Sequence, residues 1–148
     1  MNSIKKACIL DLEELADLFD LYRQFYGYPS NLISGIEFLK QRIEQNESEI
    51  FIALDKEKIV GFVQLYPLFS STRMKKLWLL NDLFVVPQHR GKGFSKELIE
   101  ASKQLCRATN ACQLTLETSK MNKIGNKLYP KTGFVLDKEN NYYAWVNL

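Results

Sequence analysis

Between residues 85 and 96 the chain reads Val85-Val86-Pro87-Gln88-His89-Arg90-Gly91-Lys92-Gly93-Phe94-Ser95-Lys96. An apolar run ends at a proline, a basic loop with two glycines follows, and a helical pattern begins. The free N–H groups at a helix N-terminus point outward and carry partial positive charge, which suits a phosphate or pyrophosphate. Gly91 and Gly93 have no Cβ and let the backbone approach an anion. Arg90, Lys92 and Lys96 add positive charge. The plain alternative is a turn between strand and helix that binds nothing. The segment lacks the G-x-x-x-x-G-K-[ST] spacing of a Walker loop, and no third glycine completes G-x-G-x-x-G. His89, the chain's single histidine, is expected to be exposed beside the anion rather than catalytic.

Periodicity and punctuation predict the elements that must position this loop. Residues 3–8 read as a strand. Asp11, with Glu14 three residues later, reads as a capping box opening a helix whose apolar face carries Leu12, Leu15, Leu18, Phe19, Tyr22, Phe25 and Tyr26. Gly27 and Pro29 stop it. A second helix is expected from about Ser34 to Gln45, with Glu37 completing another box. Ile50 to Leu54 and Ile59 to Tyr66 read as a hairpin joined by a polar turn, and Pro67 to Arg73 as a loop. Lys76 to Val86 is apolar almost throughout and reads as a central strand covered on both faces. Residues 93–109 form the clearest helix, Gln113 to Thr118 a strand, and residues 123–130 a short helix closed by Pro130. Phe134 to Leu136 and Tyr142 to Val146 read as the last strands. The order is β-α-α-β-β-β-α-β-α-β-β, a single α/β domain over residues 1–148 with no linker or repeat.

Composition narrows the function classes. The 148 residues are 46% hydrophobic and 25% charged, and 20 basic against 17 acidic side chains give a net charge of +3. That balance, with basic residues spread along the chain, does not point to nucleic acid. Cys8, Cys106 and Cys112 have neither disulfide-framework nor metal-ligand spacing. Cys106 falls on the apolar face of its helix and is expected in the core, and the usage suits a reducing cytoplasm. No run approaches the roughly 18 apolar residues of a membrane span. No metal and no membrane partner are expected.

At the strand-loop-helix junction the chain resembles the GCN5-related N-acetyltransferase (GNAT) family, whose signature is [QR]-x-x-G-x-[GA]. Arg90-Gly91-Lys92-Gly93-Phe94-Ser95 matches except that Ser95 replaces Gly or Ala. A second block is similar downstream: Leu116-Glu117, Asn122, Gly125, Leu128-Tyr129 and Gly133-Phe134, with Gly125 where Ala is usual and Pro130 as a departure. Residues 66–71 and 81–85 resemble the subgroup of histone and polyamine acetyltransferases. The resemblance implies a GNAT-like mixed, mostly antiparallel central sheet flanked by about four helices, and acetyl-CoA as co-substrate. It implies main-chain pairing of Leu83, Phe84 and Val85 with the pantetheine arm, and the pyrophosphate on Gly91 to Lys96. Asn122 then touches the cofactor arm, and Tyr129 is the acid for the departing thiolate.

An alkyl amine has a pKa near 10.4, so freeing its lone pair at about pH 7.4 costs roughly 4 kcal/mol. A general base would supply the proton path. Some family members carry a glutamate on the central strand, where this chain has Asn81, which cannot act as a base. The resemblance points first to Glu117 and second to Asp82. Glu117 reads equally as an exposed strand-end carboxylate, and Tyr129 as an aromatic packing its helix on the sheet. The acceptor site is expected between the first two helices and the strand ends, with Tyr26, Tyr66 and Trp78 foremost among Tyr22, Phe25, Phe69, Tyr142 and Tyr143. Aromatic faces attract cations, although aromatics at such spacing are usually core. Asp20, Glu47 and Glu49 read either as negative charge for a polyamine or equally as solvated surface.

The leading expectation is an acetyl-CoA-dependent N-acetyltransferase acting on a primary amine of a small molecule, a polyamine or amino acid. Acetylation of a protein lysine or N-terminus is the alternative among enzymes, and a non-catalytic acyl-CoA-binding module the alternative outside them. A homodimer is expected to pair through the C-terminal strand.

Overall fold

A computed structural model describes residues 2–148. The chain divides into two compact units, Met1–Glu117 and Thr118–Leu148. The first holds a five-stranded sheet in the order β1-β2-β3-β4-β5. Its strands are β1 (Asn2–Lys6), β2 (Glu49–Asp55), β3 (Lys58–Ser70), β4 (Lys75–Val85) and β5 (Leu114–Thr115). The first four pair antiparallel and β5 joins β4 in parallel. Helices α1 (Leu12–Phe25), α2 (Leu32–Glu44) and α3 (Phe94–Ala108) belong to the same unit, and α4 (Lys123–Lys131) to the second. This is the expected mixed, mostly antiparallel sheet with four helices.

One core joins α1 and α2 to the sheet: Leu15, Ala16, Phe19 and Leu39 pack with Ile50, Ile52, Phe62 and Phe84. On α3, Phe94, Leu98, Ile99 and Ser102 are buried. The sequence places these four along one face of that helix, as the sheet requires.

Side-chain caps depart from expectation. Asp11 does not cap α1; its carboxylate accepts Cys8 N and Lys5 Nζ, bracing the short 3-10 turn Ile9–Asp11. Glu14 reaches across to Ile59 N at 2.8 Å. Asn31, not Ser34, caps α2, accepting from Ser34 N. Asp20 is buried and accepts Ser30 Oγ (2.6 Å), Asn31 N (2.8 Å) and Gln24 Nε2 (3.0 Å). It therefore fastens the α1–α2 connection and is not available as the acceptor-binding charge expected of it.

Strand limits shift for physical reasons. The expected loop from Pro67 continues as strand to Ser70, with Pro67 opposite Trp78. Cys106 is only half-buried, and burial pushes its thiol up; all three cysteines are unpaired. Phe134–Leu136 and Tyr142–Val146, expected as strands, form none. The polar stretch between them folds locally instead: the Asp137 carboxylate accepts Glu139 N, Asn140 N and Nδ2, and the Tyr142 hydroxyl. The expected route to a homodimer thus has no C-terminal strand to pair through.

The Asp20 carboxyl is held below its ordinary range, first by the Ser30 hydroxyl and Asn31 N–H. A depressed folded-state value stabilises the fold above the unfolded carboxyl pKa of about 3.9, and the contribution is lost as pH falls through the folded value. Asp20→Ala is expected to cost about 1–3 kcal/mol at pH 7 by urea unfolding, and the difference from wild type narrows below about pH 4.

Candidate active site

The site begins with a register change in β4. Gln64 pairs with Asp82 but Leu65 pairs with Leu80, so Asn81 is an extra residue without a partner on β3. Such a bulge bends a strand and raises its twist. It falls where β5 stops: β4 pairs with β5 only at Trp78 and Leu79. Beyond it, Val86 N donates to Val60 O at 2.9 Å. Antiparallel alternation then turns the main chain of Phe84 and Asp82 toward β3 and that of Leu83 and Val85 to the opposite edge. No strand among the described residues pairs with Leu83 or Val85 on that edge. Arg90 Nε donates to Val85 O there at 2.9 Å.

The basic loop follows directly. A 3-10 turn, Pro87–His89, leads to Gly91 (φ 76°) and Gly93 (φ 93°). Both lie in the left-handed region that favours glycine, and a Cβ at either would meet nothing within 4 Å. These glycines are therefore required by backbone conformation and face open space. No side chain caps α3; its first intrahelical bond is Glu97 N to Gly93 O. The N–H groups of Phe94, Ser95 and Lys96 consequently have no acceptor within the helix. A free strand edge running into an uncapped helix N-terminus, with Lys92 and Lys96 beside it, fits a phosphate-bearing cofactor with an extended amide arm. Arg90 turns back toward the sheet, its guanidinium 5.4 Å from the Phe25 ring centre and 5.6 Å from that of Phe84. His89 pairs with Asp55 at 3.0 Å and meets the edge of Phe94, so it anchors the loop to the end of β2.

On the α1–α2 side a cleft of about 250 Å³ opens beside the bulge. Helix α1 and the residues after it supply Phe19, Tyr22, Arg23, Tyr26 and Tyr28 to its lining. Phe38 comes from α2, and Tyr66, Asn81 and Asp82 from the sheet. Asp82 is 6% exposed, and its carboxylate accepts Gln64 Nε2 at 2.9 Å and Asn81 Nδ2 at 3.0 Å. Gln64 is fully buried and accepts the Ser48 hydroxyl at 2.9 Å. No cation among the described residues is paired with Asp82. Burial, then the Asp82 charge, pushes the Tyr66 phenol up to about 12, so it stays protonated at neutral pH. Phe84 links the two halves of the site, meeting Tyr22 of the cleft at 6.0 Å and Arg90 of the loop.

The other expected residues stand elsewhere. Trp78 is 4% exposed and donates to Thr109 Oγ1, so it is a core residue and does not line the cleft. Glu117 is exposed, past the end of β5. Glu47 pairs with Arg42, and Glu49 with Lys6. Phe69 is exposed at the far end of β3. In the second unit Asn122 caps α4, accepting Gly125 N and donating to Thr118 Oγ1. A Cβ on Gly125 would stand 2.5 Å from Asn122 Nδ2, so a larger residue there would require the Asn122 side chain to shift. Tyr129 is half-buried and meets Phe134 edge-on at 5.7 Å. Tyr142 and Tyr143 are exposed. Sequence reasoning missed Gln64, Arg23 and Tyr28. A glutamine inside the otherwise apolar run Ile59 to Tyr66 was the available signal for the first; the other two had none.

The model of the acetyltransferase (GNAT) family matches residues 15–134 of this sequence. The chain belongs to the GNAT family. It is 42% identical over 142 residues to an uncharacterized N-acetyltransferase of Bacillus subtilis, YhfO, covering 96% of this chain and 95% of that protein. It is 36% identical over 127 residues to a probable acetyltransferase of Haemophilus influenzae, covering 82% and 87%. The crystal structure of a probable acetyltransferase superposes with a TM-score of 0.94 at 37% identity, over 99% of this chain and 98% of the other. The protein is therefore an acetyltransferase, and enzymes of its family take the acetyl group from acetyl-CoA. Among the described residues no group of three or more His, Cys, Asp or Glu could hold a metal ion, and no helix is long and apolar enough to cross a membrane.

Gly93→Asp places a side chain at positive φ and a negative charge at the uncapped helix end. It is expected to weaken acetyl-CoA binding, measured by calorimetry, by roughly tenfold or more.

Proposed function

We propose that residues 1–148 form one acetyltransferase domain that moves acetyl from acetyl-CoA to the primary amine of a small molecule by direct attack in a ternary complex. Reducing cytoplasm suits its unpaired cysteines. The observation that carries the reading is Asp82, a buried carboxylate in an aromatic cleft, one residue from the free edge that begins at Leu83.

The cofactor arm would pair with the main chain of Leu83 and Val85, and the pyrophosphate would lie on the N–H groups of Phe94 to Lys96. Arg90 must then release Val85 O, which frees its guanidinium for the anion. The thioester supplies an activated acetyl carbon. Asp82 attracts the acceptor's ammonium, which provides the counter-charge the buried carboxylate lacks, and takes the proton directly or through water. The amine nitrogen forms the new N–C bond, the C–S bond breaks, and the sulfur leaves with its electron pair and takes a proton from Tyr129, which the proton lost by the acylated nitrogen restores. Tyr129 is supported by its register with Gly133-Phe134 in the family pattern. Asp82 takes precedence over Glu117, because Glu117 is exposed and is ion-paired to no cation among the described residues.

The small-molecule reading is supported by the aromatic lining beside Asp82, since ring faces attract an ammonium; a protein lysine or N-terminus is the alternative. A non-catalytic acyl-CoA binder would need neither Asp82 nor Tyr129. The test is thiol release from acetyl-CoA against an amine panel. Asp82→Asn and Tyr129→Phe are each expected to lower kcat by roughly 10²–10⁴ while acetyl-CoA still binds. Full activity in both variants would contradict the assignment.

A further inference from the structure

Two groups in the cleft carry charge: Asp82, and Arg23 on α1. Arg23 Nη1 donates to Pro29 O at 3.0 Å, and its guanidinium lies 5.5 Å from the Tyr28 ring centre. A guanidinium offers five N–H donors in a rigid fork, and no carboxylate is ion-paired to Arg23 among the described residues. Asp20 feels its charge, but the Asp20 oxygens are filled by Ser30, Asn31 and Gln24. The neighbouring acids are likewise engaged, Glu47 with Arg42 and Glu49 with Lys6. A polyamine entering this cleft would find one carboxylate and one repelling cation. A molecule with one ammonium and one carboxylate would satisfy both.

We propose that the acceptor is an amino-acid-type molecule, its ammonium at Asp82 and its carboxylate at Arg23. The inference rests on the acetyl-transfer reading above and sharpens its substrate class. A guanidinium recognises a carboxylate through paired, charge-assisted hydrogen bonds, which fix orientation as well as adding attraction. Phe19 and Phe38, stacked at 5.9 Å, give the cleft an apolar wall for the rest of the molecule. Tyr22 and Tyr26, edge to face at 5.1 Å, also line the cleft, and aromatic rings attract cations. Arg23 is thus a specificity-determining residue, and Asp82 the residue that meets the reacting amine.

The experiment compares acetyl-CoA thiol release with matched pairs: L-phenylalanine against phenethylamine, L-leucine against isoamylamine, and L-ornithine against putrescine. Wild-type protein is expected to favour the carboxylated member of at least one pair by roughly tenfold or more in kcat/KM, the order lost with one charge-assisted contact. In Arg23→Gln that ratio falls toward one, and Arg23→Lys, which keeps the charge but not the fork, retains part of it. Acetyl-CoA calorimetry shows whether each variant is folded; a merely structural Arg23 would alter stability without moving the ratio. If the glutamine variant does not fold, the lysine variant and the wild-type ratio decide. Equal or faster acetylation of the plain amines by wild type would overturn the inference and leave acetyl transfer standing. So would a carboxylate preference that survives Arg23→Gln. Acetyl-CoA binding without transfer to any amine would overturn the underlying reading, and the inference with it.

Discussion

A single unpaired residue, Asn81, sets the geometry on which the site depends. By adding one residue to β4 opposite the Gln64–Leu65 step, it shifts the pairing parity of everything that follows. Before it, Trp78 N and Lys76 O serve the β5 side through Gln113 O and Cys112 N. After it, Leu83 and Val85 present their main-chain groups to an edge that no strand occupies. The same shift leaves Asp82 and Phe84 on the α1–α2 face, where Tyr22 and Phe62 meet Phe84. One bulge therefore gives the strand an edge that no strand among the described residues occupies and, on adjacent residues, a carboxylate in an aromatic cleft. An acyl donor added along that edge and an amine held at Asp82 would approach through the same short stretch of β4.

Charge is managed in the same economical way. The chain places most of its acids in pairs or caps: Asp11 with Lys5 and Cys8 N, Asp20 at the α1–α2 connection, Asp55 with His89. Asp82 is held by two neutral side-chain amides alone, whereas Asp20 accepts a hydroxyl and a backbone N–H as well and feels the Arg23 charge. A buried carboxylate held this way keeps its hydrogen bonds while lacking a counter-charge, and an ammonium acceptor provides one. The anion-binding end uses backbone instead, with glycine conformations and an uncapped helix, so the two binding demands do not compete for side chains.

Much of this was legible in the sequence because it is local. The loop from Pro87 to Lys96, the strong amphipathic helix after it and the apolar strand before it follow from short-range pattern, and the structure has each within one or two residues. The family likeness extended this to the sheet and its four helices. What sequence did not reveal depends on pairing across the sheet. A bulge is invisible in one strand alone, so Asn81 was read only as a missing glutamate and Asp82 ranked behind Glu117. Trp78 was read as a cleft aromatic because its type suits one, but its indole N–H is satisfied by Thr109 in the core. The terminal segments alternate too briefly to overcome the Asp137 turn, so the expected last strands are not present. Asp20 was read by charge alone, although its position one turn before the helix end let it cap the next connection.

The most direct measurement is amide hydrogen exchange at Leu83 and Val85, resolved by residue, with and without acetyl-CoA. If the cofactor arm pairs with the edge that the bulge exposes, both amides exchange quickly in the free protein and slow markedly when acetyl-CoA is bound, while Phe84 N, already paired to β3, changes little. Protection by acetyl-CoA that leaves Leu83 and Val85 unchanged would contradict the account.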